Sequence, residues 1–415
     1  MKNQIVDLKT VSVETFSEVY PEINKAIFES GNFQASRNGG TKEFLNFKTE
    51  VLNPYRRCSG GYGRDVNVFF FLAEALWIFL GQRDVKFLEY FNSRMATFSD
   101  DGTFFHAPYG FRLRNYGVFS EDISYIEDNF MTHKTEENKH AHQSEIDSMD
   151  QVQSAIRMFH KNPDDRRVVL SIWSPLMDLE YDSKDIPCND LLLYKIRDGK
   201  LHSTIANRSN DLHWGLPTNI FQFSFLSEIV ACSLGIELGT QVHNSQSLHI
   251  YCENPIASEI YSNFDAKRKG GYLCEDLYKY AKEERMKFVT KFESPVLIFD
   301  EIETYAKILY KNMFYKMFKV GEPDLDALVI LEKNAPYFAD IYKLISIYVE
   351  YKEHLASGLR GDGVRIEAIK KIYNAFGMDC KKDIVVLAAN FFAKRVNDPA
   401  VLKSYVPKHS FIGKY

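Results

Sequence analysis

Residues 187–211 read PCNDLLLYKIRDGKLHSTIANRSND, and this stretch sets the reading of the whole chain. Two apolar runs, Leu191–Ile196 and Leu201–Ala206, flank Arg197-Asp198-Gly199-Lys200, and Asp-Gly suits a tight two-residue turn, so a β-hairpin is expected. One cysteine, Cys188, stands at the start of the hairpin, and Arg208-Ser209-Asn210-Asp211 stands at its end. Further on come Asn219, at the head of the apolar run Ile220–Leu234, and the polar-apolar-polar triplet His249-Ile250-Tyr251. A thiol, a guanidinium, amide and acid groups, and a His-x-Tyr pair at strand ends and helix starts suit covalent addition to a phosphorylated, hydrogen-bonding ring. A thiolate needs exposure and positive support to act, and Arg166, Arg167 and Arg208 are the candidates to supply it.

Working outward, Arg167–Trp173 reads as an apolar strand and Val152–His160 as a helix ended by Asn162-Pro163. Phe69–Leu80 reads as a buried helix with one acid, Glu74, and no basic residue within a turn of it. Such a carboxyl is expected to titrate high, as a general acid or base near neutrality requires. Residues 13–31 show helical spacing stopped at Gly31, and Phe44–Val51 alternates like a strand. Thr240–Val242 and Ser247–Cys252 read as two more strands, and Thr132–Asp147 as an exposed polar insertion. Beyond Pro295 the period is helical almost throughout, at 298–319, 324–333, 336–356, 364–376 and 384–396. We place a domain boundary near residue 290, with 1–290 as one unit and 291–415 as a helical extension.

The 415 residues suffice for a large core plus a smaller unit. A net charge of -5 excludes a generic nucleic-acid binder, so any anion site must be a local arginine cluster. The 32 Phe and 24 Tyr fit several packed interfaces, an oligomer's among them. Six cysteines are scattered without metal-ligand spacing, so neither a disulfide framework nor a metal site is expected. No secretory signal is visible, and the run Val68–Leu80 is too short to span a bilayer and is broken by Glu74. The chain reads as cytoplasmic.

Over roughly residues 25–255 these motifs, in this order and spacing, resemble the thymidylate synthases and related pyrimidine nucleotide hydroxymethylases. The resemblance implies an α+β fold, a large mixed sheet with covering helices, to which the C-terminal helices are added. It also implies a homodimer, a pyrimidine nucleoside monophosphate such as dUMP as substrate, and 5,10-methylenetetrahydrofolate as one-carbon donor. Cys188 takes the place of the nucleophile that adds to carbon 6 of the ring, and Glu74 and Tyr109 that of the acid and hydroxyl organising proton transfer. Arg37, Arg208 and Ser209 match the phosphate binders, and Arg166 and Arg167 the pair that reaches the partner subunit's phosphate. Asn219 matches the base reader, where asparagine suits uracil, although Asn is also a good helix N-cap. His249 and Tyr251 match the ribose binders, and Asp211, Trp214 and Gly215 lie where the folate is held.

The chain also departs from the synthases. Asn189 follows the cysteine in place of histidine, and Ser245-Gln246-Ser247 replaces Gly-Gly-Asp. Thr218 stands where an aromatic is usual, and the sequence runs on into helix instead of a short apolar tail that closes over folate. Since reduction needs a dry site, these departures tilt the expected product from methyl toward hydroxymethyl. An idle nucleotide sensor with a partner-binding tail is the alternative of another class; a nucleophile and a buried acid together speak against it.

Overall fold

The computed structural model describes residues 9–36, 39–59, 66–117, 148–269, 277–279, 281–398 and 402. Eight strands form one mixed sheet: β1 (Thr10–Val13), β2 (Asn32–Ser36), β3 (Gly39–Val51), β4 (Val169–Ser171), β5 (Asn189–Arg197), β6 (Lys200–Asn207), β7 (Asn210–Asp211) and β8 (Glu237–Tyr251). The order across the sheet is β1-β3-β8-β6-β5-β4, with β2 also on β3 and β7 also on β8. The β1/β3, β6/β8 and β7/β8 pairs are parallel and the others antiparallel. The expected hairpin is β5–β6, and its turn residues Asp198 and Gly199 have φ of 52° and 69°, the left-handed pair that a two-residue hairpin turn demands.

The helices before the sheet's last strand are α1 (Tyr20–Ser30), α2 (Val68–Phe79), α3 (Val85–Phe91), α4 (Tyr109–Arg114), α5 (Gln151–Lys161), α6 (Pro175–Asp178) and α7 (Gly215–Leu234). After it come α8 (Pro255–Lys269), α9 (Pro295–Phe318), α10 (Ala327–Asn334), α11 (Pro336–Ala356), α12 (Asp362–Phe376) and α13 (Asp383–Ala393). Among the described residues no helix is long and apolar enough to cross a membrane. Helices α2 and α7 are buried on nearly every side, which only a central position allows. The C-terminal helices close over them: Phe69 stacks on Tyr348 at 4.5 Å and meets Phe391 edge-on at 5.3 Å. Phe225 lies against Tyr337 and Phe338, with centroids 6.2 and 6.4 Å apart. A single hydrophobic cluster therefore runs from α2 and α7 into α9–α13.

Buried polar groups reinforce that seam. Arg57, after β3, pairs with Glu228 of α7, and Glu228 also accepts from the Met286 N–H at 2.7 Å. The Tyr278 hydroxyl donates to Asp383 at 2.9 Å and accepts from the Cys58 N–H at 3.0 Å. Burial pushes the Asp383 carboxyl up to about 6 against the pull of Tyr278 and Arg57.

Several element limits differ from the sequence reading. Val13 belongs to strand β1 and the helix begins only at Tyr20. The two strands expected over 240–252 are one strand, β8, and the strand expected from Arg167 is confined to Val169–Ser171. The insertion at Thr132–Asp147 lies outside the described residues.

Candidate active site

Cys188 sits just before β5, and the local backbone explains its aim. Asn189 pairs with Asn207 and Leu191 with Ala206, so Asp190 is the extra residue of a β-bulge. The bulge turns Asn189 into the interior while Leu191 faces out, and bulges commonly re-aim side chains beside active sites. The Asp190 carbonyl accepts from the N–H groups of Ile172 and Trp173 at 2.9 and 3.1 Å, which pins the bulge.

Arg208 continues the β6 ladder by donating its N–H to the Cys188 carbonyl at 3.0 Å. Its guanidinium folds back to the carbonyls of Pro187 (2.7 Å) and Ile186 (2.9 Å) and comes within 3.7 Å of the Cys188 Sγ. The expected thiolate support is nevertheless outweighed. Burial raises the Cys188 thiol, Arg208 lowers it, and the carboxylates of Asp185, Asp190 and Asp211 add to the rise. Of the other two arginines, Arg167 is tied to Asp165 at 2.7 Å with its side chain 82% exposed, and Arg166 is exposed.

Tyr109 opens α4 with its hydroxyl against the Asn189 carboxamide and the Cys188 backbone, and burial holds that hydroxyl far above its ordinary range. Glu74, inside α2, has an Oε2 shut away from solvent; burial pushes the carboxyl up to about 8, opposed by a hydrogen bond with Gln222 of α7. Asn219 is 7% exposed and lies one turn inside α7, whose N-cap is Trp214. The N-cap role considered for Asn219 is thus excluded, and its carboxamide is available to the site. It accepts from Asn189 Nδ2 and donates to Asn210 Oδ1, both at 3.4 Å.

At the other end, Asp211 of β7 pairs with His249 of β8, and the two rings of His249 and Tyr251 meet edge-on at 5.3 Å. Burial lowers the His249 imidazole, with Asp211 opposing. The Asp211 carboxylate caps the turn into α7, accepting from the His213 N–H at 2.9 Å and the Trp214 N–H at 3.2 Å. Trp214 is 43% exposed, 6.4 Å from the Tyr251 ring, with the Arg94 guanidinium 4.7 Å over its indole. Gly215 follows it, where a Cβ would come within 3.1 Å of Asn210 Oδ1. Ser209 is half-buried between Arg208 and Asn210. Arg37 lies outside the described residues.

The structure therefore gathers Cys188, Arg208, Tyr109, Asn219 and their neighbours around the β5–β6 mouth. It adds Asp185 and Asn189, which the sequence reading did not place in the site. The Asp185 Oδ2 accepts from the Ala107 N–H at 2.8 Å, and burial pushes this carboxyl up to about 7. Its nearness to the cysteine in sequence was the only available signal. The exposed Trp214 indole beside Tyr251, with Arg94 above it, fits a flat heterocycle carrying an acidic tail. Among the described residues no cluster of His, Cys, Asp and Glu could hold a metal ion.

Comparison with known proteins places the chain. The family model described as thymidylate synthase matches residues 18–288. A deoxyuridylate hydroxymethyltransferase of Bacillus phage SP01 is 38% identical over 240 residues, covering 57% of this chain and 57% of that protein. Proteins of the same name from Pseudomonas phage M6 and Delftia phage PhiW-14 are 36% and 29% identical over 249 and 234 residues. Those matches cover 59% and 54% of this chain, and 62% and 56% of the relatives' own lengths. The chain thus spans little more than half the length of the relatives it matches.

Proposed function

Because the chain belongs to the thymidylate synthase family, we propose that it transfers a one-carbon unit to carbon 5 of dUMP, with hydroxymethyl as product. The observation that carries this reading is the Cys188 thiol lying 3.7 Å from the Arg208 guanidinium, with Tyr109 and the Asn189–Asn219 amides around it. The relatives named deoxyuridylate hydroxymethyltransferase support hydroxymethyl over methyl.

In this reading the Cys188 thiolate adds to carbon 6 of the ring, and the charge displaced onto the ring oxygen is met by the Asn219 carboxamide. Arg208 and Ser209, with Arg37, take the phosphate; His249 and Tyr251 take the sugar hydroxyls. Glu74, held largely protonated at neutral pH, and Tyr109 hold and move protons at the ring, including the one lost from carbon 5. Bound 5,10-methylenetetrahydrofolate supplies the one-carbon unit, and Trp214, Gly215 and Asp211 hold it. Once the carbon 5 proton is lost and tetrahydrofolate departs, water adds to the exocyclic methylene where a methyl would need hydride. The bond from Cys188 to carbon 6 breaks as the ring double bond re-forms, returning the free thiolate.

A homodimer belongs to the same proposal. On one face of the sheet, Val169, Leu193, Thr204 and Val242 stand side by side in register and are only half-buried or exposed. Exposed Arg166 and Arg167 precede the edge strand β4, as a pair serving a partner's phosphate would. Sedimentation of the chain against Leu193→Glu tests this: a dimer converted to monomer supports it, and a wild-type monomer refutes it. We assign residues 291–415 to a helical extension of the catalytic unit. The cytoplasm, with its reduced thiols, is the setting that fits the five free cysteines among the described residues.

Mass spectrometry of dUMP incubated with the protein and methylenetetrahydrofolate tests the activity. A hydroxymethyl gain with tetrahydrofolate released is the expected result. A methyl gain with dihydrofolate formed would make the chain a methylating synthase. No change in dUMP would turn the reading to a nucleotide sensor.

A further inference from the structure

Four buried asparagines from four separate stretches of chain hand one hydrogen bond to the next in a single direction. Asn207 Nδ2 donates to Asn189 Oδ1; Asn189 Nδ2 donates to Asn219 Oδ1 at 3.4 Å; Asn219 Nδ2 donates to Asn210 Oδ1 at 3.4 Å. Asn210 Nδ2 ends the series on the Ser245 Oγ at 3.2 Å. All four are at most 7% exposed, so none can exchange its partner for bulk water without moving.

We propose that this relay, resting on the reading of Asn219 as the base-binding residue, fixes the orientation of the Asn219 carboxamide and thereby selects uracil over cytosine. An amide oxygen has two lone pairs and its nitrogen two hydrogens. Asn189 occupies one lone pair of Asn219 and Asn210 one hydrogen, which leaves one acceptor and one donor for a ring. That remaining pair matches uracil, which offers an N3–H donor and an O4 acceptor. Cytosine offers the opposite set, an N3 acceptor and an N4 amino donor.

To read cytosine, Asn219 must turn over. Its oxygen would then face the Asn210 oxygen and its nitrogen the Asn189 nitrogen, and both buried contacts become repulsive. Turning the whole relay over is also disfavoured. Among the amide atoms of the relay only the Asn207 Oδ1 is buried without a partner, whereas reversal puts the Asn207 NH2 group there instead. Unpaired buried donors are rarer than under-used acceptors. Asn189 and Asn207 are therefore positioning residues, and the bulge at Asp190 is what points Asn189 at Asn219.

The test is calorimetric titration of the full chain with dUMP and with dCMP, for the wild type and for Asn189→Asp and Asn189→His. The wild type is expected to prefer dUMP by about tenfold to a hundredfold, the range of one two-point base contact. Asn189→Asp removes the donor to Asn219 and rewards the turned amide, so the preference should fall at least tenfold. Asn189→His keeps an N–H donor and should retain most of the preference, which a merely structural role for the side chain would not predict. Should Asn189→Asp fail to fold, Asn207→Asp, one step earlier, is read in the same way with a smaller fall. An unchanged preference in the folded Asp variants, or equal loss in Asn189→His, overturns the relay while leaving the site intact. A wild type that binds neither nucleotide overturns the site reading, and the relay with it.

Discussion

Arg208 is bound to Cys188 twice over: its backbone N–H meets the cysteine carbonyl at 3.0 Å, and its guanidinium lies 3.7 Å from the Sγ. The ladder bond sets where the arginine starts, and the folded-back side chain sets where its charge ends. That charge lowers a thiol which burial and three carboxylates raise, and the balance lies above the ordinary cysteine value. Alkylation of Cys188 by iodoacetamide, followed by peptide mapping, should therefore be slow at pH 7 and accelerate through pH 9. Arg208→Gln should raise the thiol further and slow alkylation roughly tenfold at a fixed pH. Fast reaction at neutral pH, or indifference to the arginine, would show the opposite balance.

Glu74 titrates near 8 because of burial, far above the 4.5 of a free glutamate. The folded state thus holds a proton that the unfolded chain releases, so stability falls as pH rises between those two values. The slope is about 1.4 kcal/mol per pH unit while only the folded form is protonated. Glu74→Gln removes this slope. The variant should be less pH-sensitive than wild type in urea melts from pH 5 to pH 8, and the more stable of the two at pH 9. In activity, wild type should lose rate above about pH 8 if the protonated acid works, and the variant should be nearly inactive throughout. Parallel stability curves for the two proteins would place the carboxyl in water.

Gly110 follows Tyr109 at the start of α4 and leans on the end of α2. A Cβ there would stand 2.1 Å from the Ile78 carbonyl oxygen and 2.5 Å from its Cα, so the two helices must part. Gly110→Ala should cost about 1–3 kcal/mol of stability and move the Tyr109 hydroxyl from Asn189 and Cys188. Turnover measured where the variant is still folded should fall more than tenfold. The control is Gly363→Ala in α12, where a Cβ meets nothing within 4 Å and helix propensity favours alanine. Equal behaviour of the two variants would remove the argument.

What the sequence reveals depends on how far apart the interacting residues lie. The five C-terminal helices were legible because their apolar period repeats for several turns, and the observed limits agree within a few residues. The β5–β6 hairpin was legible from Asp198-Gly199. The single strand β8 was not, because Gln241, His243 and Ser245 are polar yet almost wholly buried, and polar runs read as breaks. The start of α7 was placed too late, at Asn219 where the apolar run begins, although Pro217 in the first helical turn sacrifices no hydrogen bond. That error made Asn219 an apparent cap. Val13 and Phe16 fit a helical period by chance, and the parallel ladder between β1 and β3 overrode it. In the site, motif residues were legible one by one, but the contacts among Asn189, Asn207, Asn210 and Asn219 are made only when the sheet and α7 come together.

A buried ion pair lies beside the seam between the sheet side and the C-terminal helices. Arg57 and Glu228 are 1% and 2% exposed, and Glu228 also holds the Met286 N–H. Burial disfavours the Arg57 charge, but Glu228 beside it more than restores it. Glu228→Ala would leave a guanidinium in the interior without its counter-charge, together with an unpaired N–H. The expected loss is about 3–5 kcal/mol, read from the urea midpoint at constant slope. Replacing both partners, Arg57→Met with Glu228→Met, should recover much of that loss, since an apolar pair of similar volume needs no compensation. Because α7 carries both Glu228 and Asn219, the single variant should also weaken nucleotide binding at temperatures where it remains folded. A Glu228→Ala chain within about 1 kcal/mol of wild type would mean that the aromatic contacts of Phe69 and Phe225 hold the seam without the ion pair.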